Sequence, residues 1–170
     1  MKQVLIFICS LISVVVISSC DSQTPIDSSS NPGSLEKAGK IFIAHLSGGE
    51  EVPPVQTSGT GQAFFKLSED GAFLEYKLIV ANIENVTQSH IHLAPAGTNG
   101  AVVAFLFGNV PGGVTVNGVL AEGTITAANL VGPLAGQPLS ALVDHLNNEG
   151  AYVNVHTTSY PGGEIRGQLQ

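Results

Sequence analysis

The chain has 170 residues, enough for one domain of ordinary size with its own hydrophobic core. Hydrophobic residues make up 44% and charged residues only 11%, so the sequence predicts a globular domain whose surface consists largely of uncharged polar residues. The 13 acidic residues outnumber the 6 basic ones, and no basic stripe is present that could follow a phosphate backbone. Nucleic-acid binding is therefore not expected.

The first 20 residues have the three-part organisation of a bacterial export signal. Lys2 precedes an apolar run over 4–17 (VLIFICSLISVVVI), which is shorter than the ~20 residues of a membrane-spanning helix. The ending Ile17-Ser18-Ser19-Cys20 resembles the bacterial lipobox. That resemblance implies a signal peptide over 1–19, acylation of Cys20, and a cell-envelope protein held to a membrane by lipid on its extracytoplasmic side. The alternative is an ordinary cleaved signal that ends near a cysteine.

The segment after the cysteine differs in composition from the rest of the chain. Residues 20–39 are rich in Ser, Pro, Asn and Asp, which predicts a flexible tether, and residues 40–170 are the predicted domain. Loss of Lys2 with the signal leaves five basic against 13 acidic residues, a net charge of −8, which disfavours docking on anionic lipid through charge. The only cysteines are Cys9 and Cys20, so a disulfide framework is excluded.

Within the domain the pattern is that of short strands separated by Gly- and Pro-rich turns. An Asp70-Gly71 turn joins the second and third predicted strands, and the apolar run over 101–107 predicts a strand that is buried on both faces or lies near the centre of the core. The one helix is predicted over 138–148, with Gly150 just past its end. This pattern predicts an all-β, antiparallel Greek-key sandwich or barrel. The predicted strands cover 41–46, 61–67, 72–81, 88–93, 101–107, 119–125, 151–157 and 164–169.

Two predicted strands carry histidines on one face. Period two places the imidazoles of His90 and His92 on the same side, with bases about 7 Å apart, and turns Ile91 toward the core. In the strand over 151–157, His156 shares a face with Tyr152 and Asn154. The following strand contributes a polar face made of Glu164, Arg166 and Gln168.

Three histidines near a carboxylate could hold copper or zinc, so the candidate ligands are His90, His92 and His156. Asn154, Glu164 and Arg166 are expected in or near their surroundings. The alternative is that these polar residues bond to loops on an ordinary outer face. His45 and His145 are not expected to be ligands, because one lies in the first strand and the other on the solvent side of the helix.

Enzymatic activity is not expected. The chain has no Gly-x-Ser-x-Gly elbow, and lipid would consume the thiol of Cys20. Glu50 and Glu51 are adjacent, so in extended backbone their carboxylates face opposite ways.

Several motifs, in order along the chain, resemble the CHRD domain, a family named from chordin. The first is Ala44-His45-Leu46-Ser47-Gly48-Gly49-Glu50-Glu51-Val52-Pro53-Pro54-Val55, and Ser89-His90-Ile91-His92 follows. The last are Tyr152-Val153-Asn154-Val155-His156-Thr157 and Pro161-Gly162-Gly163-Glu164-Ile165-Arg166-Gly167-Gln168-Leu169. The resemblance runs from about residue 40 to the end of the chain. It implies an immunoglobulin-like or Greek-key β-sandwich in a secreted or lipid-anchored bacterial protein.

The His-x-His strand also resembles the copper-binding strand of copper/zinc superoxide dismutase. The chain lacks that family's disulfide, its bridging histidine and its zinc aspartate, so dismutase activity is not implied. Two functions are expected from these observations. The first is a non-catalytic module of the cell envelope that binds a protein or another envelope ligand. The second is a copper- or zinc-binding domain.

Overall fold

The computed structural model describes residues 39–170. The predicted signal peptide, Cys20 and the tether up to residue 38 lie outside the described residues. Within 39–170, no helix combines the length and apolar character needed to cross a membrane.

The described chain forms eight strands, one α-helix and three single-turn 3₁₀ helices. The 3₁₀ turns cover Gly48–Glu50, Ala127–Asn129 and Gly132–Leu134. The single α-helix, α1, covers Leu139–Asn147, which confirms the predicted helix. The strands are β1 (Ile41–Ser47), β2 (Thr60–Leu67), β3 (Leu74–Ala81), β4 (Val86–Leu93), β5 (Ala101–Phe107), β6 (Gly118–Ile125), β7 (Ala151–Thr157) and β8 (Ile165–Gln168).

All eight strands join in one antiparallel sheet with the order β5-β4-β7-β8-β1-β2-β3-β6. The order places β4 beside β7 and β8 beside β1, so strands distant in the chain are neighbours, as in Greek-key folds. The two edges nearly meet. The Tyr76 hydroxyl of β3 donates to Leu106 O of β5 over 2.7 Å, and Val131 N donates to Val103 O over 2.9 Å. The predicted all-β sandwich or barrel with one helix is confirmed.

One hydrophobic core fills the interior and is built from alternate residues of the strands. In β3, Leu74, Leu78 and Val80 are buried, which is the face expected from period two. The helix packs its buried Leu142 and Leu146 against the same core. Residues on the opposite side of most strands are partly or fully exposed, and β7 is the exception, with all seven residues buried.

Three local predictions differ from the structure. Phe105 of β5 is 55% exposed, so the expectation of burial on both faces was wrong; β5 is an edge strand and nothing covers its outer face there. Glu164 precedes β8 rather than belonging to it, although its N–H donates to Val155 O. The left-handed residue after α1 is Glu149, with φ 51°, rather than Gly150.

Candidate metal centre

The pairing register of β4 with β7 brings the predicted histidines together. His90 lies opposite Asn154 and His92 opposite Tyr152, while His156 is paired with Gln88 and so lies diagonal to His90. Diagonal neighbours on one face of an antiparallel pair are close enough for long side chains to touch. On the opposite face, Ile91 is fully buried in the core, as the alternation predicts.

The face that carries the histidines is not an ordinary outer face, because loops cover it. His90 is 4% exposed, His92 8% and His156 7%. The loop after β4 and the turn between β7 and β8 both bond to the rings. The three imidazoles therefore occupy a second, polar interior on the far side of the sheet from the hydrophobic core.

One nitrogen from each of the three rings lies within 4.8 Å of the others. The shortest separation joins His90 Nδ1 and His156 Nε2, 3.1 Å apart. Ligand nitrogens bind zinc at ~2.0–2.1 Å, so two nitrogens at this separation can both reach one ion. The structure thus brings the three predicted ligands together at a single point.

Backbone carbonyls fix the tautomers of two rings. His92 Nδ1 donates to Gly100 O and His156 Nδ1 donates to Pro161 O, each over 2.9 Å. A ring protonated at Nδ1 carries a lone pair on Nε2, and in both residues Nε2 points into the cluster. Metal-binding histidines are typically oriented in this way, with the second nitrogen donating to a carbonyl or a carboxylate.

The Asn154 amide lies between the two Nε2 atoms. Its ring-facing atom, assigned as Oδ1, is 3.0 Å from Nε2 of both His92 and His156. Amide oxygen and nitrogen are assigned from the hydrogen-bond network, and both ring atoms here are acceptors. The physically consistent orientation therefore turns the amide nitrogen toward the rings, where its two hydrogens bond to the two lone pairs.

Burial keeps the cluster neutral. The pKa of His90 is lowered to about 4 by burial and, secondarily, by the positive charge that His156 and His92 would carry. Burial also lowers the pKa of His92 and of His156 below the usual value, against the opposing effect of the carbonyl hydrogen bonds. At neutral pH all three imidazoles are in the form that binds metal ions.

Aromatic rings flank the cluster. The exposed Phe105 meets His90 edge to face, with ring centroids 4.8 Å apart. Tyr152 stacks almost parallel on His92, with centroids 4.8 Å apart and an interplanar angle of 8°. The Arg166 guanidinium lies over the other side of this tyrosine, 3.3 Å from the ring centroid.

Arg166 also holds the loop that contacts His92. It lies opposite Asn154 in the β7–β8 pair and is 1% exposed. Its guanidinium donates to Thr98 O over 2.7 Å, to Asn99 Oδ1 over 3.2 Å and to Pro95 O over 3.4 Å. This loop continues into Gly100, whose carbonyl orients the ring.

The predicted carboxylate does not join the cluster. Glu164 is buried, but its two oxygens accept hydrogen bonds from the hydroxyls of Thr57 and Thr157, over 2.6 and 2.7 Å. Of the three residues expected around the histidines, Asn154 bonds directly to two of them, Arg166 acts through Tyr152 and the loop, and Glu164 is engaged elsewhere. His45 and His145 are exposed, as expected.

The burial of Glu51 was not predicted from the sequence. This side chain is 6% exposed, and burial raises the pKa of its carboxyl to about 7, while the Arg166 charge acts in the opposite direction. Gly163 makes room for it, because a Cβ at that position would lie 2.3 Å from Glu51 Oε1. The backbone of Gly163 also has φ 127°, which favours glycine. The contrast between exposed Glu50 and buried Glu51 follows the expected alternation, but nothing in the sequence indicated which of the two is inside.

The fold and the site together define a class of protein, an antiparallel β-domain with a buried three-histidine cluster on one side of its sheet. The CHRD domain family matches residues 42–169, and the chain belongs to that family. Comparison with curated proteins and comparison with solved structures each found no match.

The depressed histidine pKa values predict that the fold loses stability in acid. In the unfolded chain His90 protonates near 6.5, whereas in the fold it does so near 4, so between these values the unfolded state binds more protons. The free energy of unfolding should therefore fall as pH decreases through this window, by roughly 3 kcal/mol from this residue. Urea titrations at several pH values measure the effect.

The comparison variant is His90→Gln, which keeps an N–H donor for His156 but does not titrate. The raised pKa of Glu51 stabilises the fold as pH falls, which opposes the effect of His90. The quantity to compare is therefore the pH dependence of the free energy of unfolding in wild type and in the variant. Equal pH dependence in the two proteins would contradict the assigned neutral state of His90.

Proposed function

We propose that this CHRD domain is a non-catalytic metal-binding module that holds one copper or zinc ion through His90, His92 and His156. The observation that carries the proposal is the convergence of one nitrogen from each ring within 4.8 Å, in a setting that fixes two of the three tautomers for ligation. Imidazole nitrogens suit both ions, and three such ligands from two adjacent strands form a preorganised site.

Burial of the cluster supports a cation rather than a purely structural role. Buried polar groups normally pair donors with acceptors, yet the lone pair of His156 Nε2 faces both His90 Nδ1 and the Asn154 amide within 3.1 Å. One lone pair therefore serves two donors there, so the hydrogen bonds of the cluster are shared. A metal ion in the middle would satisfy all three ring nitrogens at once.

The proposed role is binding rather than catalysis because the surroundings offer no reactive partner. Glu164 is held by two hydroxyl groups and does not bond to the rings. Within the described residues, the groups that contact the cluster are an amide, backbone carbonyls and aromatic rings.

We further propose that the module is displayed outside the cytoplasm, with lipid on Cys20 as its membrane anchor and residues 20–39 as its tether. The lipobox-like ending at Cys20 supports the anchor, and the low charge content of the domain suits an extracytoplasmic surface. A protein or another envelope component would then be the partner that supplies or receives the ion.

Metal binding is tested on the full chain purified without a histidine tag. We expect one equivalent of Zn²⁺ or copper per chain by calorimetry, with a rise in melting temperature of several degrees, because a ligand that binds only the folded state stabilises it. His90→Gln, His92→Gln and His156→Gln should each weaken binding by at least about tenfold.

The matched controls are His45→Gln and His145→Gln, which remove exposed histidines outside the cluster. They should bind as wild type does. Loss of binding in these controls, or no stoichiometric binding by wild type, would refute the metal site and leave the binding-module role without a metal.

Asn154 should oppose metal binding, because its amide fills the space between the two Nε2 atoms in the metal-free protein. Asn154→Ala should lower the free energy of unfolding of the metal-free domain by about 1–3 kcal/mol, since two buried acceptors lose their donor. The same change should tighten Zn²⁺ binding, because the ion no longer displaces the amide. Weaker binding would instead identify Asn154 as a ligand.

Lipid anchoring is tested separately by expressing the chain in a bacterial host with a labelled fatty acid. The full chain should incorporate label and fractionate with membranes, and Cys20→Ser should abolish both properties without altering the fold of the domain. Cys9→Ser is the control, since this cysteine lies within the segment that is removed. Labelling that persists in Cys20→Ser would contradict the anchor.

A further inference from the structure

Arg166 is a buried cation without a carboxylate partner. It is 1% exposed, and its guanidinium bonds to neutral oxygens of Pro95, Thr98 and Asn99. Among residues 39–170 the one ion pair within 4.0 Å joins Lys77 to Glu122. Buried charges are normally paired, so a guanidinium without an ion pair beside a candidate metal site indicates that its charge acts on that site.

The positive field of Arg166 reaches the histidine cluster through a stack of rings. The guanidinium carbon is 3.3 Å from the Tyr152 centroid, and Tyr152 lies 4.8 Å from the His92 centroid. The charge is thus separated from the cluster by packed side chains rather than by water.

The buried Glu51 carboxyl interacts with this charge, since the Arg166 charge lowers its pKa, but burial acts more strongly and raises that pKa to about 7, so at pH 6 the group is mostly neutral. The carboxylate of Glu164 is bound by two hydroxyl groups, and Glu51 lies beyond ion-pair distance of Arg166. The three imidazoles and the Asn154 amide are neutral donors. The surroundings of the site therefore carry a net positive charge, which makes each additional positive charge on a bound ion less favourable.

We infer that Arg166 biases the site toward monovalent copper relative to divalent ions. The inference rests on the proposed metal-binding function and specifies the ion. A unit charge separated from the ion by the Tyr152 and His92 rings, at an effective dielectric constant of about 20, disfavours each extra charge on the ion by roughly tenfold in affinity.

Asn99→Asp is the sharpest test, because it gives Arg166 an anionic partner of nearly the same shape. The Asn99 side-chain oxygen already accepts from the guanidinium, so the variant keeps that bond and neutralises the field. Arg166→Gln removes the charge itself, and Arg166→Lys retains it. Asn147→Asp, on an exposed position of α1, makes the same change in net charge away from the site.

The measurement is a pair of competition titrations at pH 6 on the full chain. Anaerobic Cu⁺ is competed with bicinchoninate, and Zn²⁺ with a chromophoric chelator. Neither ion has a geometric preference from its filled d shell, so the ratio of their affinities reports mainly charge. The reduction potential of the copper-loaded protein is the second readout.

In wild type and in Asn147→Asp we expect the same Cu⁺ to Zn²⁺ affinity ratio, because the Arg166 charge acts equally on the site in both. Asn99→Asp and Arg166→Gln should reduce the Cu⁺ to Zn²⁺ affinity ratio by about tenfold and lower the reduction potential by about 59 mV, the one-electron equivalent. Arg166→Lys should resemble wild type.

Unchanged ratio and potential in Asn99→Asp and in Arg166→Gln would overturn the inference while leaving the metal site intact. Failure of wild type to bind any of these ions would instead overturn the proposed function. The two failures are therefore distinguishable in one set of titrations.

Discussion

The register between β4 and β7 is the constraint on which the site depends. With His90 opposite Asn154, the period of the strands places three imidazoles, an amide and a tyrosine on one face and the valine and isoleucine side chains on the other. A slip of one residue would exchange the two sets, burying imidazoles in the hydrophobic core. The apolar face therefore stabilises the same pairing that assembles the polar cluster, and folding and site formation are one event.

The loops do the remaining positioning through their backbone. The carbonyls of Gly100 and Pro161 orient two rings, and Arg166 secures the loop that provides the first of these carbonyls. The turn before β8 provides the Pro161 carbonyl, and its Gly163 leaves space for the Glu51 carboxyl next to Asn154. Short connections with glycine and proline enclose the polar interior here, although in the sequence they resemble simple turns.

Strand alternation made much of this arrangement predictable from sequence. The eight strands, the helix and the shared face of His90 and His92 follow from periods of two and 3.6, and so does the polar face on which His156 lies. The pairing of β4 with β7, which brings His156 beside the other two, does not follow from periodicity. Burial of that face was not predictable, because it depends on loops folding over the sheet. For the same reason the engagement of Glu164 by threonine hydroxyls and the burial of Glu51 could not be read from residue types.

Tyr152 gives this site an optical consequence. The chain has no tryptophan and only three tyrosines, so its near-ultraviolet absorption and emission come from very few rings. One of these rings lies pressed between a guanidinium and an imidazole of the cluster. An ion bound between the histidines would change the surroundings of that chromophore. Tyrosine fluorescence would then report whether the site is occupied.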